Sequence, residues 1–300
     1  MAELSHRKSV WLALLVTFLW STSWLLIKIG LKDVPPLTFA GLRYMLAFLC
    51  LLPFFLRSAG RRALRGMDRR TWLQMLGYGI IFYTLAQGAQ YVSLSTLPAV
   101  TLNLVLGFNP VLVTLLGIVL LAEVPNWFQW LGVAAAMAGV VVYFYPVQSG
   151  GAGQVIGLVA GLVCLLATAY SAVLGRSINR HGNLNALNVT VISMGIGAPL
   201  MLLAGLLTEK WVPIGLLSWL IIAYLAVVNT ALAFTLWNLT LRTLPAMESS
   251  MINNAMTIQV PVIAVLFLGE SLGFKEVLGL ALIAVGVLAV QTGRVPFLKR

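Results

Sequence analysis

Long apolar stretches separated by short polar connections run through most of the chain. A bilayer core about 30 Å thick needs roughly 20 apolar helical residues to cross it, and ten stretches are of that kind. They lie at 10–30, 36–56, 71–93, 97–121, 127–145, 154–177, 185–207, 215–241, 245–268 and 274–292. The connections are rich in proline, glycine, asparagine and charge. The pattern predicts an all-α integral membrane protein with ten transmembrane helices.

The composition leaves little material for a water-exposed surface. Hydrophobic residues make up 60% of the chain and charged residues only 9%, against about 25% charged in ordinary soluble domains. The net charge of +11 raises the question of a nucleic-acid partner. The positive residues collect at helix ends, however, and are densest between Arg57 and Arg70. By the positive-inside rule this predicts a multi-pass protein of the cell inner membrane with both termini cytoplasmic, with the lipid bilayer as partner and no nucleic acid.

An internal repeat with an offset of 147 residues divides the chain into residues 1–147 and 148–300. Thr96-Leu97-Pro98-Ala99 recurs as Thr243-Leu244-Pro245-Ala246, Glu123 meets Glu270, and Gly132 and Gly139 meet Gly279 and Gly286. Five spans is an odd number, so the second half must enter the membrane from the opposite side. This predicts two inverted five-helix repeats around a central cavity, an arrangement common in secondary transporters. The glycine pairs fit packing within one molecule or between molecules, so an oligomer stays possible.

The repeated motifs resemble one known transporter family over nearly the whole chain. They are Pro98-Ala99, Asn109-Pro110, Leu121-Ala122-Glu123 and Leu131-Gly132, which recur as Pro245-Ala246, Pro261, Leu268-Gly269-Glu270 and Leu278-Gly279. The pattern is similar to the EamA-type branch of the drug/metabolite transporter superfamily. Within it, Trp20-Ser21-Thr22-Ser23-Trp24 and the aromatic, polar third span look most like YddG-type amino-acid exporters. The resemblance implies a cavity lined by spans 1, 3, 4, 6, 8 and 9, with spans 5 and 10 peripheral.

Polar side chains on the third span form the most prominent stripe. Tyr83, Gln87, Gln90 and Tyr91 follow i, i+4, i+7, i+8 spacing, which places them on one face of an α-helix. Such a face either binds substrate or joins helices together, and two amides with two phenols favour substrate. Trp20 and Trp24 lie near the middle of the first span and fit cavity lining and core packing equally. The predicted substrate-binding residues are Trp20, Trp24, Tyr78, Tyr83, Gln87, Gln90, Tyr91, Asn103, Tyr170, Asn229, Trp237, Asn238, Asn253 and Asn254.

Prolines and acids at repeated positions are predicted to have a gating or structural role. These residues are Pro98, Pro110, Glu123, Pro245, Pro261 and Glu270. Glu248, one turn into the ninth span, is interpreted as the partner of Arg242 in a local ion pair. Arg43 in the second span is expected to extend toward the interface, with contact to a substrate carboxylate as the alternative.

The remaining chemistry predicts a nearly neutral site. No acid lies deep in a span, as exporters of lipophilic cations require, and no cluster of Lys and Arg lies at mid-membrane. Aromatic rings and amides suit small neutral or zwitterionic amphiphiles, so we expect export of amino acids, neutral and aromatic ones included, by alternating access. A multidrug, toxic-cation or other small-metabolite exporter is the alternative, and a channel-like or scaffold role is more distant. Two histidines and eight acids form no metal or nucleophile motif, so no enzyme activity, metal or cofactor is predicted.

Overall fold

The computed structural model describes residues 5–57, 66–97, 102, 105–121, 125–144, 153–180, 184–268 and 273–292, and the regular elements in these ranges are helical. The helices are α1 (His6–Gly30), α2 (Pro36–Arg57), α3 (Arg69–Tyr78), α4 (Gln87–Thr96), α5 (Asn109–Leu121), α6 (Trp127–Phe144), α7 (Gly153–Arg180), α8 (Ala186–Thr208), α9 (Leu216–Ala226), α10 (Ala233–Thr240), α11 (Ala246–Asn254), α12 (Met256–Leu268) and α13 (Phe274–Thr292). A first π segment (Gly79–Ala86) joins α3 to α4, and a second π segment (Val227–Leu232) joins α9 to α10.

In the part of the chain that the structure describes, five helices are long and apolar enough to cross a membrane. They are His6–Gly30, Pro36–Arg57, Val155–Arg180, Ala186–Thr208 and Leu216–Thr240. Their outward surfaces carry large exposed apolar side chains, such as Trp11, Phe18 and Leu207. A surface of this kind over a whole molecule is unfavourable in water, whereas it is suited to contact with lipid. The predicted all-α membrane protein is confirmed at this level.

Side-chain caps explain where several helices begin. Asp68 accepts a hydrogen bond from the amide of Thr71 at 3.2 Å and caps α3, and its hydrogen bonds from Thr71 lower the pKa of Asp68. Asn185 caps α8 in the same way through the amide of Asn188 at 2.7 Å. Pro36 begins α2, a position that needs no amide donor. Helix starts thus follow short local signals, as the predicted span boundaries assumed.

The repeat in sequence is also a repeat in secondary structure. A shift of 147 residues carries α5, Asn109–Leu121, onto the bounds of α12, Met256–Leu268. The same shift places the first π segment over the second one, to within a residue at each end. A π turn carries one extra residue, is rare, and recurs at functional sites. Two of them at equivalent positions mark the third span and its counterpart in the second half.

The contact between α6 and α13 is reciprocal. A methyl group added at Gly139 would lie 2.6 Å from the carbonyl oxygen of Gly279, and one added at Gly286 would lie 2.5 Å from that of Gly132. Glycine alone allows the two backbones to approach this closely. The glycine pairs that the sequence left open are therefore used within one molecule.

A carboxylate joins α8 to the start of α2. Glu209 accepts hydrogen bonds from the amides of Leu37 and Thr38, at 2.8 and 2.7 Å, and from the Thr38 hydroxyl at 2.8 Å. An anion at a helix N-terminus is stabilised by the helix dipole and by the free amides there. Along the same pair, a methyl group at Gly41 would meet the Cα of Leu202 at 2.5 Å. These contacts fix α2, which carries part of the site.

Candidate functional site

A cavity lies between helices that come from both halves of the chain. Among the predicted substrate-binding residues, it is lined by Trp20, Trp24, Tyr78, Gln87, Gln90, Tyr91, Trp237 and Asn253. Water-molecule centres can occupy about 110 Å³ of its interior, several times the ~10–15 Å³ that a single water needs. The space is therefore sufficient for a small molecule rather than one or two waters.

Aromatic rings form one wall of this cavity. Trp20 on α1 lies 5.0 Å from Phe234 and 5.2 Å from Trp237, measured between ring centroids. Tyr78 stacks on Phe82 at 5.2 Å in the first π segment and the turn before it. Tilted and offset ring pairs of this kind are the favoured geometries. The wall offers a rigid apolar surface to a side chain of a bound molecule.

The second π segment fixes the orientation of Trp20. The indole nitrogen of Trp20 donates a hydrogen bond to the carbonyl oxygen of Asn229 at 3.1 Å. The Asn229 amide in turn donates to the carbonyl oxygen of Leu19. Asn229 is therefore held between α1 and the second π segment and does not itself line the cavity.

Asn238 and Tyr83 lie behind the cavity wall. Asn238 donates to the Thr190 hydroxyl at 3.0 Å and accepts from the Asn179 amide at 2.9 Å, which joins α10 to α7 and α8. Tyr83 is fully buried and packs against Phe234, with ring centroids 5.4 Å apart. Both residues face protein rather than the cavity.

Two further predicted positions lie away from the lining, and a third is not described. Tyr170 is 41% exposed on α7 and lines a shallow groove at the outer surface beside Asp68 and Leu174. Asn254 is buried and accepts from the Thr257 hydroxyl at 3.2 Å. Asn103 lies outside the described residues.

The predicted gating residues fall partly outside the described ranges. Pro98, Glu123 and Glu270 are outside them. Pro110 is buried at the start of α5, Pro245 is the N-cap of α11, and Pro261 lies within α12. The chain turns at Ala255, between α11 and α12, so the predicted ninth span is broken rather than continuous.

Arg43 does not extend to the membrane interface, and that expectation is wrong. Its side chain is only 3% exposed and lines the cavity. Its Nε donates to the Thr230 hydroxyl at 2.7 Å, Nη1 to the Tyr91 hydroxyl at 2.8 Å, and Nη2 to the carbonyl oxygen of Asn229 at 3.3 Å. These acceptors lie on α4 and the second π segment, so the guanidinium is drawn inward.

The position of Arg43 also corrects the expectation of a nearly neutral site. A positive side chain at mid-span costs about 2.5–3.5 kcal/mol on membrane-insertion scales. Each hydrogen bond from a charged group contributes about 1.5–3 kcal/mol, so the three contacts are enough to keep the guanidinium buried. Its acceptors are all neutral oxygens, and among the described residues no carboxylate lies within ion-pair distance of it. The cavity therefore has a local positive charge.

Gln87 and Asn109 are each oriented by one neighbour. The Tyr44 hydroxyl donates to Gln87 Oε1 at 2.7 Å. The Asn109 amide donates to the Ser250 hydroxyl at 3.0 Å, which joins α5 to α11. Tyr44, Asn109 and Ser250 all line the cavity and were absent from the predicted set.

Glu248 pairs with a different residue from the one expected. Its carboxylate lies 2.9 Å from His6 Nε2, so α11 is joined to the start of α1. Arg242 instead donates to the carbonyl oxygen of Leu184. The predicted Arg242 pair is therefore wrong, and Glu248 is not part of the cavity lining.

Metal binding has no evident place in the described part of the chain. No group of three or more His, Cys, Asp or Glu side chains there is arranged to hold an ion. The arrangement that is present, aromatic rings with amides and one guanidinium, is suited to binding a small polar molecule without covalent chemistry.

Comparison with known families gives two consecutive matches. The model of the EamA-like transporter family matches residues 7–145 and again residues 155–292. The two matches together cover most of the chain and divide it near the point that the 147-residue repeat indicated.

Several relatives align over most of their length. A protein from Salmonella typhimurium named probable amino-acid metabolite efflux pump is 28% identical, over 94% of this chain and 94% of its own. The Escherichia coli protein named uncharacterized inner membrane transporter YedA is 27% identical over 93% and 89%. A Chlamydia trachomatis S-adenosylmethionine/S-adenosylhomocysteine transporter is 27% identical over 88% and 83%. All three names describe transport proteins, and the substrates named for the Salmonella and Chlamydia proteins differ.

A solved crystal structure shares the fold. It superposes with a TM-score of 0.76 over 94% of this chain and 98% of its own chain, at 20% sequence identity. At that identity the likeness concerns the arrangement of helices alone.

Proposed function

The chain belongs to the EamA-like transporter family, and from this premise we propose that it exports amino acids across the bacterial inner membrane by alternating access. The family and its relatives are transporters, so the chain is a membrane transporter rather than an enzyme. The observation that carries the proposal is the cavity, which lies among helices of both halves and is lined by aromatic rings, amides and one guanidinium.

The proposed architecture has ten spans in two inverted halves, 1–147 and 148–300. Five spans are the long helices already described. The other five are the helix that runs from α3 through the first π segment to α4, the broken helix α11–α12, and the helices α5, α6 and α13. The reciprocal contact between α6 and α13 supports a two-fold relation between the halves, and an odd number of spans in each half requires the inversion.

The proposed substrate is an amino acid with a neutral or aromatic side chain. The aromatic wall around Trp20, Phe234 and Trp237 supplies a surface for that side chain. Gln87, Gln90 and Asn253 supply polar groups for the other end of the molecule. Two relatives are named amino-acid metabolite efflux pumps, which supports the same class.

The position of the cavity among helices of both halves supports the proposed alternating access. In a carrier of this design the halves move relative to one another around a central site. Such a carrier shows saturable flux and counterflow, whereas a channel shows neither. The proposed orientation places both termini in the cytoplasm, in keeping with the arginine-rich stretch between Arg57 and Arg70.

The test is uptake of labelled amino acids by proteoliposomes that contain the pure protein. We expect saturable uptake that is stimulated when the vesicles are preloaded with the same unlabelled amino acid. Vesicles that contain a Trp20→Ala, Gln87→Leu double variant are the control, because both side chains line the cavity. Uptake no greater than that of empty liposomes, for every amino acid, would overturn the proposed substrate.

A further inference from the structure

Among the described residues that line the cavity, Arg43 is the one that is charged in every ordinary condition. It lies on α2, between the aromatic wall and the polar residues of α4, and is almost completely buried. Its hydrogen-bond acceptors are two hydroxyl groups and a backbone carbonyl, and its Cζ lies 5.4 Å from the centroid of the Tyr44 ring. None of these neutralises its charge.

The guanidinium has hydrogen-bonding capacity left over. Each terminal nitrogen of an arginine carries two N–H groups. Nη1 and Nη2 each use one of them, toward Tyr91 and toward Asn229. In the ranges that the structure describes, the second N–H of each terminal nitrogen has no acceptor. A carboxylate is the group that fits two N–H groups of one guanidinium side by side.

The described part of the lining contains no negatively charged side chain. Its residues carry amides, hydroxyls, phenols and aromatic rings, and no aspartate or glutamate occurs among them. Glu248, the buried acid nearest in sequence to the lining residues of α11, is paired with His6 instead. A cation would thus meet a positive charge with no protein anion to offset it, whereas an anion would meet one partner.

The position equivalent to Arg43 in the other half is occupied by a neutral residue that is hydrogen-bonded within the protein. A shift of 147 residues carries Arg43 to Thr190 and Tyr91 to Asn238. Thr190 and Asn238 bond each other at 3.0 Å, and Asn238 is also held by Asn179. Neither residue lines the cavity. The charge at Arg43 is therefore not needed by the repeated scaffold, since the same position is filled in the second half by neutral groups that satisfy one another.

We propose that Arg43 binds the carboxylate of the transported molecule. The substrates are then carboxylates and zwitterions, and amines that lack a carboxylate are not substrates. This rests on the proposed export of amino acids and makes it more specific. Because no acid faces the ammonium group, the carboxylate dominates recognition and the amino group contributes little. Tyr91 and Thr230 keep the guanidinium in place, and the aromatic wall binds the side chain.

The first experiment needs no variant. The assay is counterflow of labelled L-phenylalanine into proteoliposomes, with unlabelled analogues added as inhibitors. The degree of inhibition measures binding of an analogue even if that analogue leaks through lipid. We expect 3-phenylpropionate and N-acetyl-L-phenylalanine to inhibit within threefold of phenylalanine. L-phenylalaninamide and phenethylamine should need at least tenfold higher concentrations. Equal inhibition by the acid and the amide would overturn the proposal while leaving amino-acid export intact.

The variant Arg43→Gln tests the assignment to this residue. We expect it to lose the preference for phenylalanine over phenylalaninamide, so that the two differ by less than twofold. Lys32→Gln is the matched control, because it removes one positive charge from an exposed position outside the cavity and should keep the full preference. A preference that survives in Arg43→Gln protein would assign carboxylate binding to another group and contradict the proposal.

A binding measurement separates this proposal from the proposed function. Trp20, Trp24 and Trp237 line the cavity, so a ligand there changes tryptophan fluorescence of the detergent-purified protein. We expect 3-phenylpropionate to bind at least tenfold more tightly than 3-phenylpropionamide, and sodium chloride at equal ionic strength to leave this difference unchanged. If no amino acid is transported but the difference is present and depends on Arg43, the proposed function fails and the carboxylate site stands. Chloride that abolishes the acid's advantage would point to a general anion site and overturn the proposal.

Discussion

At the contact between α6 and α13 the two halves make equivalent contacts, Gly139 against Gly279 and Gly286 against Gly132, whereas the cavity residue Arg43 corresponds to Thr190 in the other half. At the α6–α13 contact these glycines are the same in both halves. Around the cavity the helices are repeated, including a π segment in each half, but the side chains differ. Packing of backbones tolerates little variation, while the lining of a cavity is free to change. Substrate recognition is therefore expected where the halves differ.

Substitution of the interface glycines should have the largest effect. Gly139→Leu and Gly286→Leu each place a large side chain against a backbone carbonyl, and each should lower the free energy of unfolding by about 3 kcal/mol. The measurement is the thermal midpoint of the detergent-purified protein by size-exclusion chromatography. Gly215→Ala is the control, since a methyl group there meets nothing within 4 Å. A loss in only one of the two leucine variants would contradict an equivalent role for the two glycines.

A substitution at Asn238 tests whether the hydrogen-bonded group of Thr190, Asn238 and Asn179 serves stability rather than substrate binding. Asn238→Ala removes one buried hydrogen bond from Thr190 and one from Asn179, whose other bonds, to the carbonyl oxygens of Ala186 and Gly175, remain. We expect the free energy of unfolding to fall by about 1–3 kcal/mol, with the KM for amino-acid uptake unchanged in the protein that remains folded. Thermal unfolding and proteoliposome uptake provide the two readouts. A tenfold rise in KM with normal stability would return Asn238 to the substrate-binding set.

Gln87 tests the cavity itself. Gln87→Leu removes the acceptor of the Tyr44 hydroxyl and one polar group of the lining. Loss of one such hydrogen bond is worth about 1 kcal/mol, so KM should rise about fivefold. Gln74→Leu makes the same chemical change on α3, in the groove at the outer surface, and should leave KM as it is. Equal effects of the two variants would remove Gln87 from the site.

The pair of His6 and Glu248 should have the smallest effect. It lies outside the cavity lining, and the histidine is 52% exposed. We expect Glu248→Gln to change amino-acid uptake by less than twofold and stability by at most about 1 kcal/mol. The same variant tests the alternative of a toxic-cation exporter, which needs an acid that binds the cation. Loss of cation resistance in cells that carry Glu248→Gln would favour that alternative.

The sequence predicted most of the helices, because spans are long and their ends carry local signals such as Asp68, Asn185 and Pro36. Eight of the fourteen predicted substrate-binding positions lie in the cavity lining. Periodicity succeeded where helices are regular, since Gln87, Gln90 and Tyr91 share the predicted face of α4.

Two features escaped prediction for physical reasons. Tyr83 was placed on that same face by 3.6-residue spacing, but it lies in a π segment, where the extra residue per turn breaks the register. Nothing in the residues of that segment distinguishes a π turn from an α turn. The inward position of Arg43 was not predicted, because its acceptors Tyr91 and Thr230 are 48 and 187 residues away in sequence. Their proximity is a property of the packed helices alone.

The close contact of α6 and α13 has a consequence for synthesis of the chain in the cell. The glycine face of α6 is complete by residue 144, but the helix that fills it begins at residue 274. While the intervening helices are made and inserted, that face must be covered by lipid or by the insertion machinery. The packing of the first half is consequently completed only after α13 has been synthesised, and synthesis that stops before α13 leaves this face of α6 without its partner.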